Sequence, residues 1–342
     1  MPANQIAERN AQDAQRDFIR DFVEAKPDIV SFVDHCLGWN EAGEFLRFFK
    51  GSFNLSIAVR NRVTHERVVI RFPIPRKVYD RWRGTKVKHE VIVITYLREH
   101  TSLPVPCLGP FIIMEFMEGE NFGDVLKKPT PNEADLAILD PEIDGAKLGG
   151  IFEQLAGFML ELSRLEFARI RAISKDAVSG EWAVTEPPLT YDMNEVVSFA
   201  GFPAEHFTTM ATQHTVAHDA RDITWGRYVA RHCFAQLIPT YGLIDDAGAH
   251  RLFCDDMRPS NMLVNPETME ITALLDFEFT NVMPAQFAYD LPWWLLLRDP
   301  ASRSSRPTGE PLLSARMRDS WDSGRFWFNL ASRNSVDVDQ IY

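Results

Sequence analysis

Three residues stand out for what their side chains could do together. Asp256 and Asn261 lie five apart in CDDMRPSNMLV (254–264), and Asp276 follows in LLDFEF (274–279). A carboxylate on a loop can take a proton from a hydroxyl. A carboxamide and a second carboxylate are hard oxygen ligands, suited to the magnesium that accompanies a nucleoside triphosphate. Phosphoryl transfer asks for these parts, with cations against the phosphate oxygens. Read alone, DDMRPSN is also an ordinary polar turn, because Asp, Asn, Ser and Pro gather in turns for geometric reasons. Two motifs in this order and at this separation favour the chemistry.

The elements that must position these groups are legible as hydrophobic periodicities. Residues 1 to about 45 read as helical, with Phe18, Phe22 and Val23 on one side of a charged helix. FLRFFKGSFNLSIAVRNRVTHERVVIRF (45–72) alternates in short runs and predicts three antiparallel strands near 46–49, 55–59 and 67–72. KVKHEVIVITYLREH (86–100) spaces Val87, Val91, Ile94 and Leu97 for one helix face. FIIMEFMEG (111–119) is an apolar run ending on glycine, the profile of a buried strand entering a linker. From about residue 120 the pattern changes. A long core helix is predicted over 147–174, and 179–193 reads as loop. Two short strands, 262–264 and 271–275, flank an NPETME turn.

The expected fold is therefore α+β. A small antiparallel lobe, counted as five strands, occupies 1–118, and a larger, mostly helical lobe occupies 119–342. The first lobe would hold the nucleotide. The second would carry the catalytic loop and the acceptor pocket.

The motif pair resembles the catalytic loop of protein kinases (H-R-D-x-x-x-x-N, then D-F-G). It is still more similar to the H-G-D-x-x-x-x-N and D-x-E/D pattern of the aminoglycoside phosphotransferase family. DDMRPSNMLV, DFEF, PAQFAYDLPWWLLL (284–297) and EPPLTYDMNE (186–195) further resemble a fungal subgroup of phosphotransferase enzymes. The resemblance implies a bilobal protein-kinase-like fold and use of ATP and magnesium. Asp256 would be the catalytic base, and Asn261 and Asp276 the metal ligands. Arg258 falls where many protein kinases keep a lysine facing the γ-phosphate. Arg71, in RVVIRF, takes the place of the third-strand lysine that holds phosphates, with Glu90 on the next helix to position it.

The phosphate-covering loop would be KGSFN (50–54), through the backbone of Ser52, Phe53 and Asn54. With one glycine it reads equally as a hairpin turn, and Arg71 equally as a strand-end arginine paired with a surface acid. Adenine would meet the backbone from Glu115 to Met117. Cys254 departs from the motif, standing where the family has histidine. By spacing to Asn261 the base is Asp256 and not Asp255. Only TNVMPAQFAYD separates the Asp276 strand from PWWLLL, which leaves little room to dock a peptide. The expected acceptor is a small molecule with a hydroxyl group, its pocket shaped by the helical half with Glu278, Asp290 and Trp293. A tryptophan pair is more often core packing, and Asp290 reads equally as structural, bonding loop backbone. The alternative is a pseudokinase, binding nucleotide or scaffolding partners without turnover. Similar fungal sequences imply a chain that continues past DVDQIY (337–342).

Bulk composition narrows the partners. The chain has 342 residues and a formal net charge of −12, with 48 acidic against 36 basic residues. Such a surface repels phosphate backbones and argues against nucleic acid. The four cysteines form no C-x-x-C pair, so neither a disulfide framework nor a cysteine zinc site is expected. The first residues are polar, and no apolar run approaches the length of a membrane span. A cytoplasmic location is the expectation.

Overall fold

A computed structural model describes residues 3–51, 53–75, 83–106, 113–127, 140, 142–188, 233, 236–241, 250–292 and 313–333. The chain forms two compact units. One comprises Met1–Phe158, Met193–Ser198 and Asp256–Phe279; the other Met159–Asp192, Phe199–Asp255 and Thr280–Tyr342. The structure is α+β, with antiparallel sheets and helices.

In the first unit, helices α1 (Ala3–Glu24) and α2 (Lys26–Leu37) precede strands β1 (Gly43–Lys50), β2 (Asn54–Asn61) and β3 (Arg67–Pro73). Helix α3 (Arg83–His100) and strand β4 (Ile113–Glu115) follow. The sheet runs β1-β2-β3-β4, antiparallel throughout. It has four strands among the described residues, where the sequence suggested five. The remaining candidate, β5 (Glu120–Asn121), pairs instead with the hairpin that carries Asn261.

Strand alternation sorts the two faces of this sheet. Leu55, Ile57 and Val59 of β2 oppose Phe72, Ile70 and Val68 of β3. All but Phe72 are buried, and Phe22 of α1 sets its ring edge-on to Phe72 at 5.1 Å. Each large side chain so buried contributes about 1.5–3 kcal/mol, enough to fix the register. The other face presents Asn54, Ser56 and Ala58, and Ser56 lies across from Arg71. Small residues on β2 leave room there for a guanidinium.

Gly119 marks the passage out of the sheet. Its φ of 141° is a glycine conformation, and a Cβ there would meet Thr272 Oγ1 at 2.6 Å. Helix α4 (Phe122–Leu126) and helix α5 (Gly145–Ser163) follow. The long helix expected over 147–174 ends early, because the Arg164 and Leu165 N–H groups turn back onto the Glu161 and Leu162 carbonyls, both at 3.1 Å. Strands β10 (Met262–Val264) and β11 (Ile271–Leu274) form the predicted hairpin. Gln154 of α5 clamps it by donating to the Met269 carbonyl and accepting from the Ile271 N–H.

The second unit holds more strand than its sequence suggested. Strands β6 (Glu166–Phe167), β9 (His250–Cys254) and β12 (Thr280–Pro284) make one sheet in the order β12-β9-β6. Strands β7 (Ala172–Lys175) and β8 (Trp182–Glu186) make a hairpin, where 179–193 had read as loop. Helices α6 (Ala285–Ala288), α7 (Leu313–Asp322) and α8 (Arg325–Arg333) complete the described part. No helix among the described residues is long and apolar enough to cross a membrane.

Candidate active site

The loop from Asp255 to Asn261 is built around one carboxylate. The Arg258 N–H bonds the Asp256 carbonyl at 2.9 Å, and the Asn261 N–H bonds the Arg258 carbonyl at 2.9 Å. Pro259–Asn261 form a single 3-10 turn that enters β10. The Asn261 amide nitrogen donates to the Asp256 carbonyl at 2.8 Å and to Asp256 Oδ2 at 3.0 Å. Arg258 Nε lies 2.9 Å from Asp256 Oδ1. Asp256 is thus buried and held at both oxygens, while Asp255 is only half-buried. Asn121, the N-cap of α4, ties the loop from outside by donating to the Ser260 carbonyl at 2.8 Å.

Arg71 forms a second centre in the same unit. Its guanidinium donates to Glu90 of α3, and a terminal nitrogen lies 3.1 Å from Asp276 Oδ2. The Asn54 amide, oriented with its oxygen toward the guanidinium, accepts from Arg71 Nε at 3.2 Å and from a terminal nitrogen at 2.9 Å. Burial opposes the positive charge, but Glu90 and Asp276 outweigh it and push Arg71 above its ordinary value. The reading of Arg71 as a surface pair is excluded by this enclosure.

Asp276 connects the two centres. The Leu275 N–H bonds the Asn261 carbonyl at 2.9 Å, so the hairpin brings the two residues side by side. Asp276 has φ of 67°, a left-handed conformation that costs a non-glycine residue on the order of 1 kcal/mol and gathers at functional sites. Its Oδ2 faces Arg71. Its Oδ1 is buried with no hydrogen-bond partner.

A third group was not legible as part of this cluster. Lys86 of α3 is 1% exposed and places its ammonium 2.8 Å from Glu278 Oε2, on a carboxylate that is also 1% exposed. The ammonium stands 4.7 Å from the Phe53 ring centroid and 5.7 Å from that of Phe279. Glu278 Oε1 is a second buried oxygen without a hydrogen-bond partner. Burial and the neighbouring Asp276 charge push Glu278 up to about 8, against the opposing pull of Lys86. The signal that could have revealed Lys86 is its place four residues before Glu90, on the same side of the helix.

Of the remaining expected nucleotide contacts, Phe53 packs its ring edge-on against Phe279 at 6.1 Å. Asn54 is engaged with Arg71. Glu115 ends β4, exposed, and the Phe116 N–H that follows bonds the Arg67 carbonyl at 3.1 Å. Met117 is half-buried. Ser52 and Trp293 lie outside the described residues. In the second unit Asp290 is 3% exposed and accepts from Ser320 and Asn329.

The donor set fits a hard divalent cation. Asp276 offers an unengaged carboxylate oxygen, and Asn261 uses its nitrogen on Asp256, which leaves its amide oxygen for another partner. Three carboxyl groups, Glu90, Asp276 and Glu278, face two cations, Arg71 and Lys86. Among the described residues no group of three or more His, Cys, Asp or Glu is arranged to hold a metal alone. A magnesium ion held by one or two side chains and by substrate phosphates does not need one.

The chain is similar to solved aminoglycoside phosphotransferases. With APH(4)-Ia it shares 12% identity over 92% of this chain and 99% of that one, at a TM-score of 0.48. With the GDP complex of wild-type aminoglycoside 2'-phosphotransferase-IIIa it shares 16% identity over 88% and 84%, at 0.43. With an ethanolamine kinase of Plasmodium vivax it shares 14% over 73% and 59%, at 0.40. No family model and no curated protein matches the chain. Likeness this distant assigns neither an acceptor nor the role of any residue.

Proposed function

We propose that this protein is an ATP- and magnesium-dependent phosphotransferase that phosphorylates a hydroxyl of a small molecule. The observation that carries the reading lies within the first unit. The buried Asp256, fixed by Asn261 and Arg258, lies one hairpin away from a left-handed Asp276 with an unpartnered oxygen. That pairing joins a proton acceptor to a hard-cation ligand.

Asp256 accepts the proton of the acceptor hydroxyl as its oxygen bonds to the γ-phosphorus and the bond to the ADP oxygen breaks. Arg258 and Asn261 hold the carboxylate in place for that transfer. Asn261 and Asp276 hold magnesium, whose charge, when bound, neutralises the β- and γ-phosphate oxygens. Arg71, positioned by Glu90, fixes Asp276 and presents positive charge toward the α- and β-phosphates. The backbone of Phe53 and Asn54 would cover the phosphates, and that of Glu115 to Met117 would take the adenine. A division at residues 118 and 119 would then separate the lobe that holds the nucleotide from the one that carries the catalytic loop and the acceptor pocket.

Calorimetric titration with ATP, with and without magnesium, tests this. Wild type should bind in a magnesium-dependent way, and Asp276→Ala should weaken that binding at least ~10-fold. Asp256→Ala should keep nucleotide affinity within about threefold while transfer to a screened panel of hydroxylated metabolites falls by about 10³-fold. Absence of ATP binding by wild type would instead favour a nucleotide-free scaffold. Full activity in Asp256→Ala, with loss in Asp255→Ala, would move the base by one residue.

A further inference from the structure

Helix α3 reaches the Asp276–Phe279 segment through more than the Glu90–Arg71 link. Lys86, His89 and Glu90 fall at i, i+3 and i+4, so they share one face, and each is no more than 5% exposed. Lys86 grips the Glu278 carboxylate at 2.8 Å. His89 Nδ1 lies 3.1 Å from the Glu278 backbone carbonyl, which can only accept, so that nitrogen carries the proton and donates. The side chain and the main chain of one residue are therefore held by two residues of one helix.

The ammonium of Lys86 is fixed in turn. It stands against both the Phe53 and Phe279 rings, which meet edge to face at 6.1 Å. Phe53 belongs to the loop between β1 and β2, so the clamp also reaches the segment expected to cover the phosphates. Glu278 sits two residues past the left-handed Asp276, whose conformation must be imposed by its surroundings.

We propose that Lys86 and His89 are positioning residues, which hold the Asp276 turn in its binding-competent form by gripping Glu278. Glu278 then acts as the handle of the turn and not as a contact to metal or acceptor. This rests on the phosphotransferase reading for its consequence, but not for its physical content.

Hydrogen exchange and calorimetry on wild type, Lys86→Met, His89→Leu and the double variant Lys86→Met/Glu278→Gln separate the possibilities. Lys86→Met should raise exchange of the 275–279 amides at least ~10-fold and leave the amides of β2 and β3 unchanged. Magnesium-dependent ATP affinity should fall about 10-fold, with magnesium-free affinity within about twofold. The double variant strands no charge yet still lacks the grip, so both changes should persist in it. His89→Leu also strands no charge, and should loosen the same amides about threefold even if Lys86→Met fails to fold. Unchanged exchange at 275–279 in both single variants would overturn the proposal. So would a double variant that regains wild-type protection and magnesium-dependent affinity, since stranded charge and not the lost grip would then be the cause. If wild type binds no ATP, the phosphotransferase reading falls, and the exchange comparison still decides the clamp.

Discussion

Among the described residues, two buried polar knots are built on opposite principles. In the second unit, Gln286 donates to Asn329 at 2.7 Å, and Asn329 and Ser320 donate to Asp290 at 3.0 and 2.8 Å. Each of these groups has its partner, and one carboxylate meets neutral donors. In the first unit, Arg71 and Lys86 face Glu90, Asp276 and Glu278, and two carboxylate oxygens remain without hydrogen bonds. A satisfied network stabilises and specifies a fold. A network with two unmet oxygens, around a strained backbone, is not complete in that sense.

The largest difference between the knots should appear when a central partner is removed. Arg71→Met leaves Glu90 and Asp276 buried without their shared cation. Stranding buried charge in this way costs about 3–5 kcal/mol. Urea unfolding of the variant should show that loss, and magnesium added without nucleotide should restore part of it by compensating the carboxylates. A loss below ~1 kcal/mol would mean that the cluster relaxes into water and is not the enclosed site described above.

How much of this contrast was legible in the sequence depends on the range of the signal. The strands of the first sheet, the 262–264 and 271–274 hairpin and the pair Arg71–Glu90 follow from alternation and motif spacing. Those signals are local, or are fixed by a strand and the helix that follows it. Lys86 was missed because a lysine inside a helix reads as solvent-facing, and its partner Glu278 lies far along the chain. The apolar positions Val87 and Val91 drew attention, yet both are only half-buried, and the deeper face begins with Lys86, His89 and Glu90. The left-handed φ of Asp276 carries no sequence mark, since aspartate adopts it only where the surroundings demand it. Strand β8 escaped because WAVTE is too short for its alternation to outweigh the polar residues around it.

A smaller effect separates the knots by pH. Glu278 stands near 8 in the folded protein, against an ordinary 4.5, with burial and Asp276 raising it and Lys86 opposing them. Glu90 and Arg71 also face it, with smaller and opposed effects. Between those two values the native state binds more protons than the unfolded chain. Stability from this group is therefore complete below the ordinary carboxylate range, and is lost as the pH rises toward about 8. The slope is at most about 1.4 kcal/mol per pH unit. Urea midpoints at pH 6 and pH 8 should fall further for wild type than for Glu278→Gln. Parallel pH profiles would mean that Lys86 keeps Glu278 ionised throughout.

The smallest expected effect is the most direct control on the comparison. Ser320→Ala removes one neutral donor from Asp290, which keeps Asn329 as a partner. The loss should be about 1 kcal/mol, the ordinary worth of a buried hydrogen bond whose acceptor stays partly satisfied. Because no Asp290 oxygen is buried without a partner, magnesium should neither restore the lost stability nor change it. Magnesium-dependent ATP affinity should likewise stay within about twofold, an equilibrium shift of well under 1 kcal/mol. A tenfold loss of affinity in Ser320→Ala would show that the satisfied knot also shapes the nucleotide site. Stability and ligand binding would then be shared across both units, and no longer divided between a knot that holds the fold and one that awaits a cation.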